Sequence, residues 1–191
     1  MIRVIDNFLP DYTADTLRYL ALTSPTDSEL VYSGGYRTID FNPSAPNLPP
    51  IIQETADAIQ GSVKEVKNRT FRQAWFFIYD NECSGVTVHA DTGYKNVSIW
   101  LTPDCYVKDE SKNGLIIWDK KYPKDWTWED YNKNDKKIKL YLKMSSARKR
   151  HVKYRYNRAI VFDSAYFHET NEVSMLPLKH AKRINYTFMY K

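Results

Sequence analysis

Cysteine is nearly absent: Cys83 and Cys105 are the two in 191 residues, and they stand 22 positions apart. That excludes a small secreted scaffold held by several bridges and argues against a zinc–thiolate centre, which needs clustered ligands. No apolar run approaches 18 residues, so no membrane-spanning helix is expected. The opening MIRVIDNFLPDYTADTL carries no apolar signal-peptide core, and with so little cysteine the expected setting is cytoplasmic and reducing. Six glycines and nine prolines are too few for a collagen-like or disordered chain. Histidine is scarce as well: His89, His151, His168 and His180 are all there are, which shortens any search for imidazole chemistry.

What is abundant is aromatic. Fifteen tyrosines and five tryptophans favour sheet over a plain helical bundle. The length suits a single domain, 1–191, able to bury roughly 70% of the surface its unfolded chain exposes. Charge is unevenly placed. Residues 120–156 hold thirteen Lys and Arg against four acids, a local +9 within a total of +5, so the remainder is net negative. Trp126, Trp128, Tyr131 and Tyr141 interleave with these lysines, a composition shared by surfaces that hold single-stranded nucleic acid, by substrate lids and by plain solvated loops.

Along the chain, IRVIDNFLP alternates and reads as a short strand, and DYTADTLRYLALT and PIIQETADAIQGSV have helical periodicity. The stretch VYSGGYRTIDFNPSAPNLPP between them reads as a loop, punctuated by Gly34-Gly35 and four prolines. From Arg69 onward, RTFRQAWFFIYD, SGVTVHAD, NVSIWLTP, GLIIWDK, RAIVFDS and RINYTFMYK are six β-branched or aromatic runs separated by turn residues. Helical support over about 1–68 followed by strands over about 69–191 is the layout of a mostly β barrel or sandwich backed by helices. The basic segment reads as an insertion with some helix around WTWEDYNK.

In SGVTVHAD a strand would aim His89 and Asp91 from one face, since side chains alternate. Two imidazoles and one carboxylate on one face of an octahedron suit Fe(II). His168, following RAIVFDSAYF, is better placed to complete the set than His151, among cations, or His180, in a turn after Pro177. In RINYTFMYK, Arg183, Asn185 and Thr187 share a face, and an inward guanidinium needs an anion, for which a planar fork suits a carboxylate. Each signal alone is weak: a lone H-x-D is common, and a lone arginine is more often a surface ion pair. Their order along the chain carries the inference.

HAD, FHET, RINYTF and FFIYDNECSGVTVHAD together resemble the Fe(II)- and 2-oxoglutarate-dependent dioxygenases, in particular the prolyl-4-hydroxylase-like branch, over about residues 70–190. The resemblance implies a double-stranded β-helix (jelly-roll, cupin-like) core. It implies His89, Asp91 and His168 as catalytic metal ligands, Arg183 on the distal carboxylate of 2-oxoglutarate, and Tyr79 and Thr187 as further cofactor-binding candidates. It also implies O2 as oxidant, ascorbate as a supporting reductant, and hydroxylation of an unactivated C–H bond, with peptidyl proline the leading substrate. Departures are the arginine at 183, where that branch usually has lysine, and the long gap between Asp91 and His168. Two other readings stand beside it: a non-catalytic jelly-roll module holding nucleic acid through segment 120–156, and a cupin-like zinc or manganese site. Tyr94 and Trp100 are expected to pack rather than to line a pocket.

Overall fold

In the computed structural model, residues 2–24, 30–92 and 94–191 are described. The elements are β1 (Arg3–Ile5), α1 (Asp11–Thr23), β2 (Leu30–Tyr32), β3 (Tyr36–Phe41), α2 (Pro50–Ser62), β4 (Phe71–Tyr79), β5 (Glu82–Cys83), β6 (Lys95–Trp100), β7 (Leu115–Lys121), α3 (Asp135–Met144), β8 (Lys149–Val152), β9 (Ala159–Asp163), β10 (Tyr166–Thr170), β11 (Val173–Ser174) and β12 (Arg183–Tyr190). One antiparallel sheet runs β1-β9-β6-β12-β4-β3-β2; a second runs β10-β7-β8, and β11 pairs with β5. The two larger sheets face each other as a jelly roll, with Trp100, Ile160 and Phe162 of the first packed on Ile117 and Val152 of the second.

Strand alternation divides the large sheet into an outer and an inner face. Ile39, Phe41, Ala74, Phe76, Ile78, Ile184, Tyr186 and Phe188 are buried on the outer face beneath α1 and α2. Those helices offer matching stripes, Ala14, Leu17 and Ala21 on α1 and Ile52, Ala56 and Ile59 on α2, at the three- and four-residue spacing of one helical face. Pro50 starts α2 at the position where a missing N–H costs nothing. The inner face carries polar and aromatic side chains, and the site lies there.

Two expectations change. The stretch read as a loop contains β2 and β3, and β3 pairs along β4 from Tyr36↔Tyr79 to Phe41↔Ala74. Glycines and prolines at both ends drew attention from YRTIDF, whose Ile39 and Phe41 bury as any strand's would. SGVTVHAD is not a regular strand: it joins the ladder at a single bridge, His89↔His168, with both N–H···O bonds formed at 3.0 and 2.8 Å.

Segment 120–156 is ordered. A π-helical turn at Glu129–Lys133 leads into α3, and β8 pairs with β7. Tyr131, Ile138 and Leu142 bury against Val88, Ala90 and Phe167, with Trp126 and Tyr141 packed alongside. Its aromatic residues are thus taken up largely by packing; Trp128 is its exposed indole. Several of its cations are paired, Lys137 with Asp130, Lys139 with Asp135 and Arg148 with Asp119. Cys83 and Cys105 are both free, and among the described residues no helix is long and apolar enough to cross a membrane.

Candidate metal and co-substrate site

The bridge between residues 89 and 168 sets the imidazoles side by side, with ring centroids 4.3 Å apart. Asp91 completes the group: its carboxylate oxygens lie 3.9 Å from His89 Nε2 and 3.6 Å from His168 Nε2. One atom from each residue lies within 4.8 Å of the other two, close enough to converge on a single ion. His89 Nδ1 bonds the Thr87 carbonyl and His168 Nδ1 the Tyr166 carbonyl, both at 2.8 Å. A carbonyl can only accept, so each Nδ1 donates and each Nε2 is left as the ligating atom, the usual orientation of a metal-binding histidine.

Electrostatics favour the same outcome. Burial, then the neighbouring His168, pulls the His89 imidazole down to about 4, so it is neutral at pH 7. Burial pushes the Asp91 carboxyl up, but the His168 and His89 rings beside it and the Asn96 amide outweigh it, and the net value is about 2. Neutral imidazole and ionised carboxylate are the forms that bind a cation. Asn96 Nδ2 donates to Asp91 Oδ2 at 3.2 Å; Asn132 Nδ2 donates to the Ala90 carbonyl at 3.0 Å and to Asp91 Oδ1 at 3.4 Å. Asn132 comes from the basic segment, whose Tyr131 carbonyl also accepts from Ala90 N–H. The segment therefore braces the H-x-D stretch.

Beside this triad is a small cavity of about 60 Å³, lined by Tyr79, Asn96, Ser98, Thr170, Asn185 and Thr187 and the triad residues, with Trp75, Phe77, Val86, Leu115 and Phe162 forming the rest of its wall. Arg183, 1% exposed, packs on Tyr79, one of the lining residues. Its guanidinium carbon lies 4.5, 5.6 and 5.8 Å from the ring centroids of Tyr79, Trp100 and Tyr154. Nε donates to the Asn113 carbonyl at 2.8 Å, whereas Nη1 is buried without a partner. A buried cation with an open nitrogen is costly unless an anion completes it. A small dicarboxylate supplies that anion at one end and metal-binding oxygens at the other, so the residues fit the expected co-substrate.

Of the residues expected from sequence, His89, Asp91 and His168 converge, Tyr79 and Thr187 line the adjoining cavity, and Arg183 lies against the Tyr79 ring. Tyr79 Oη bonds Thr170 Oγ1 at 2.9 Å; Thr187 Oγ1 bonds Ser98 Oγ at 3.0 Å and accepts from Asn185 Nδ2 at 3.0 Å. His151 lies on β8, and His180 rests on Tyr106, both outside the triad. Trp100 packs as expected, here against the guanidinium and Tyr154. Sequence reading missed Asn96, Ser98, Asn132, Tyr154 and Thr170. Asn96 and Ser98 were within reach, since they alternate with buried Val97 and Ile99. Asn132 and Tyr154 had no local signal.

Toward solvent the triad opens into a larger cavity of about 420 Å³, walled by Tyr32, Tyr36, Asp40, Trp75, Phe77 and Trp128 among others.

No protein-family model matches this sequence, and no curated protein matches it. Solved structures do share the fold. HygX from Streptomyces hygroscopicus, with nickel and 2-oxoglutarate bound, superposes with a TM-score of 0.64 at 12% identity, covering 99% of this chain and 82% of its own. A Pseudomonas putida prolyl-4-hydroxylase gives 0.59 at 12%, covering 100% and 91%. The viral collagen prolyl hydroxylase of Paramecium Bursaria Chlorella virus-1 gives 0.55 at 13%, covering 99% and 94%. The fold is therefore the jelly roll of the 2-oxoglutarate–Fe(II) oxygenases, prolyl-4-hydroxylases included.

Proposed function

We propose that this chain is a 2-oxoglutarate-dependent non-haem iron dioxygenase that hydroxylates an unactivated C–H bond. One juxtaposition carries the reading: a His-Asp-His triad beside a buried arginine whose Nη1 lacks a partner. His89, Asp91 and His168 would hold Fe(II), and Arg183, with Tyr79 and Thr187, would seat 2-oxoglutarate. Fe(II) held there would supply, with O2 and 2-oxoglutarate, an oxidant for C–H bonds, the co-substrate leaving as succinate and carbon dioxide.

The protein's own part is positional. The carbonyls of Thr87 and Tyr166 fix the two rings, and the amides of Asn96 and Asn132 hold the carboxylate. Trp75, Phe77, Val86 and Phe162 wall the inner cavity and keep bulk water from it. Segment 120–156 acts as one wall of the substrate cavity through Trp128 and Asn132. Fold neighbours include a Trichoplax adhaerens prolyl hydroxylase in complex with a peptide and HygX with hygromycin B bound. Peptidyl proline and small molecules are both compatible with such a frame, and the cavity walls make the choice.

Incubation with Fe(II), 2-oxoglutarate, O2 and ascorbate tests the activity. Succinate should form well above a His89→Ala control; equal succinate from both proteins would sink the assignment.

A further inference from the structure

The outer cavity has a charge of its own. On β3, Tyr36, Thr38 and Asp40 face inward by alternation, and all three line it. Besides the triad's Asp91, Asp40 is the sole carboxylate among the described lining residues, and none of them is a lysine or arginine. The chain as a whole carries 28 Lys and Arg against 23 Asp and Glu, so this wall runs against its overall balance. Among the described residues the Asp40 carboxylate takes part in no ion pair and no hydrogen bond. The residue is exposed at the cavity wall, and partial burial pushes its carboxyl up, with no cation to offset it.

Aromatic side chains line the same cavity. Trp75 is the direct cross-strand neighbour of Asp40. Tyr32 and Tyr36 stack at 4.7 Å, and Tyr32 and Trp128 are both exposed. Aromatic faces beside one unpaired carboxylate attract organic cations through ring quadrupoles and charge together. Trp128 already shows the preference, since Lys133 Nζ lies 4.4 Å from its ring centroid at the rim.

We infer that the substrate of this site carries a positively charged nitrogen, an amine or alkylated ammonium, which Asp40 and the aromatic wall receive while another part of the molecule meets the metal triad. The inference rests on the dioxygenase reading for what happens at the triad, but the cation subsite is separately measurable. Its place on the sheet sets a ruler. Asp40 pairs with Trp75, and Trp75 with Thr187, so Asp40 stands two strands, about 10 Å, from the floor of the co-substrate cavity.

The test uses choline and its uncharged isostere 3,3-dimethylbutan-1-ol as probes, titrated into the metal-loaded full chain without O2 and followed by tryptophan fluorescence and calorimetry. Choline should bind at least about tenfold more tightly than the isostere, and Asp40→Asn should abolish most of that difference. Asp40→Glu, which keeps the charge, should retain part of it. Equal binding of the two probes, no binding of choline, or discrimination unchanged by Asp40→Asn would each overturn the inference. Uptake of 2-oxoglutarate, read in the same samples from its visible charge-transfer band with Fe(II), reports on the dioxygenase reading alone. Absence of that band with cation selectivity intact would remove the reaction and leave the subsite.

Discussion

Replacing Arg183 by alanine gives the sharpest test of the co-substrate site. In the protein as it stands, Nε is committed to the Asn113 carbonyl and Nη1 is open, so an arriving carboxylate gains charge-assisted hydrogen bonds worth ~1.5–3 kcal/mol each. Removing the guanidinium leaves that carboxylate desolvated and unpaired, a loss of about 2–5 kcal/mol for a truncated charge pair. A mid-range 3 kcal/mol corresponds to roughly 150-fold in Kd. The side chain also fills the space between Tyr79, Trp100 and Tyr154, so some stability is lost; deletion of the unpaired nitrogen offsets part of it. Arg183→Lys is the companion variant, because it keeps a cation without the planar fork and should give an intermediate loss. The assay is calorimetric titration of 2-oxoglutarate into metal-loaded protein without O2, with near-UV circular dichroism as the check on folding and chelator competition as the measure of metal affinity. If a folded Arg183→Ala protein binds 2-oxoglutarate within about threefold of the parent, the guanidinium does not hold the co-substrate. If metal affinity falls in step with it, Arg183 supports the triad instead.

Asn132→Ala should weaken metal binding by about 10- to 100-fold with little change in the far-UV spectrum, because it frees Asp91 Oδ1 and the Ala90 carbonyl; chelator competition reads this, and unchanged affinity would show that the basic segment does not brace the ligand. Ile138→Ala should destabilise the protein by ~2–5 kcal/mol in urea and loosen the metal as well, since Ile138 is buried in the cluster holding Val88 and Ala90 beside the triad. In the metal-free protein, His89 binds its proton only near pH 4, whereas the unfolded chain takes one up near 6.5, so the unfolded state holds more protons between those values. Stability should therefore fall as pH drops through that window, by up to ~3 kcal/mol, and His89→Gln should flatten the slope; an unchanged slope in urea melts across pH 4–6.5 would contradict the buried, neutral ring. Asp91→Asn should leave purified protein with little bound iron by metal analysis, and full occupancy would disprove its place among the ligands.

Much of this molecule is local in origin. RINYTFMY buries Ile184, Tyr186 and Phe188 on one face and presents Arg183, Asn185 and Thr187 on the other, a period of two that any reader of the strand can see. The helices α1 and α2 follow from three- and four-residue spacings, and the triad's members were legible because histidines are few. YRTIDF shows where local reading failed: turn residues on either side concealed a strand, and Asp40 went with it. Asn132 and Tyr154 were beyond reach for another reason. They act across 41 and 29 positions of chain, on Asp91 and Arg183 respectively, and nothing in their own neighbourhood announces the partner.

What the sequence determined by itself was which side chains share a face, because backbone geometry enforces that from one residue to the next. Which faces meet was decided only when the two sheets closed over a common interior, since that choice depends on burying surfaces far apart in the chain. The union of His89, Asp91 and His168 at one point, and of Asp40 with the aromatic wall before it, belongs to that second step.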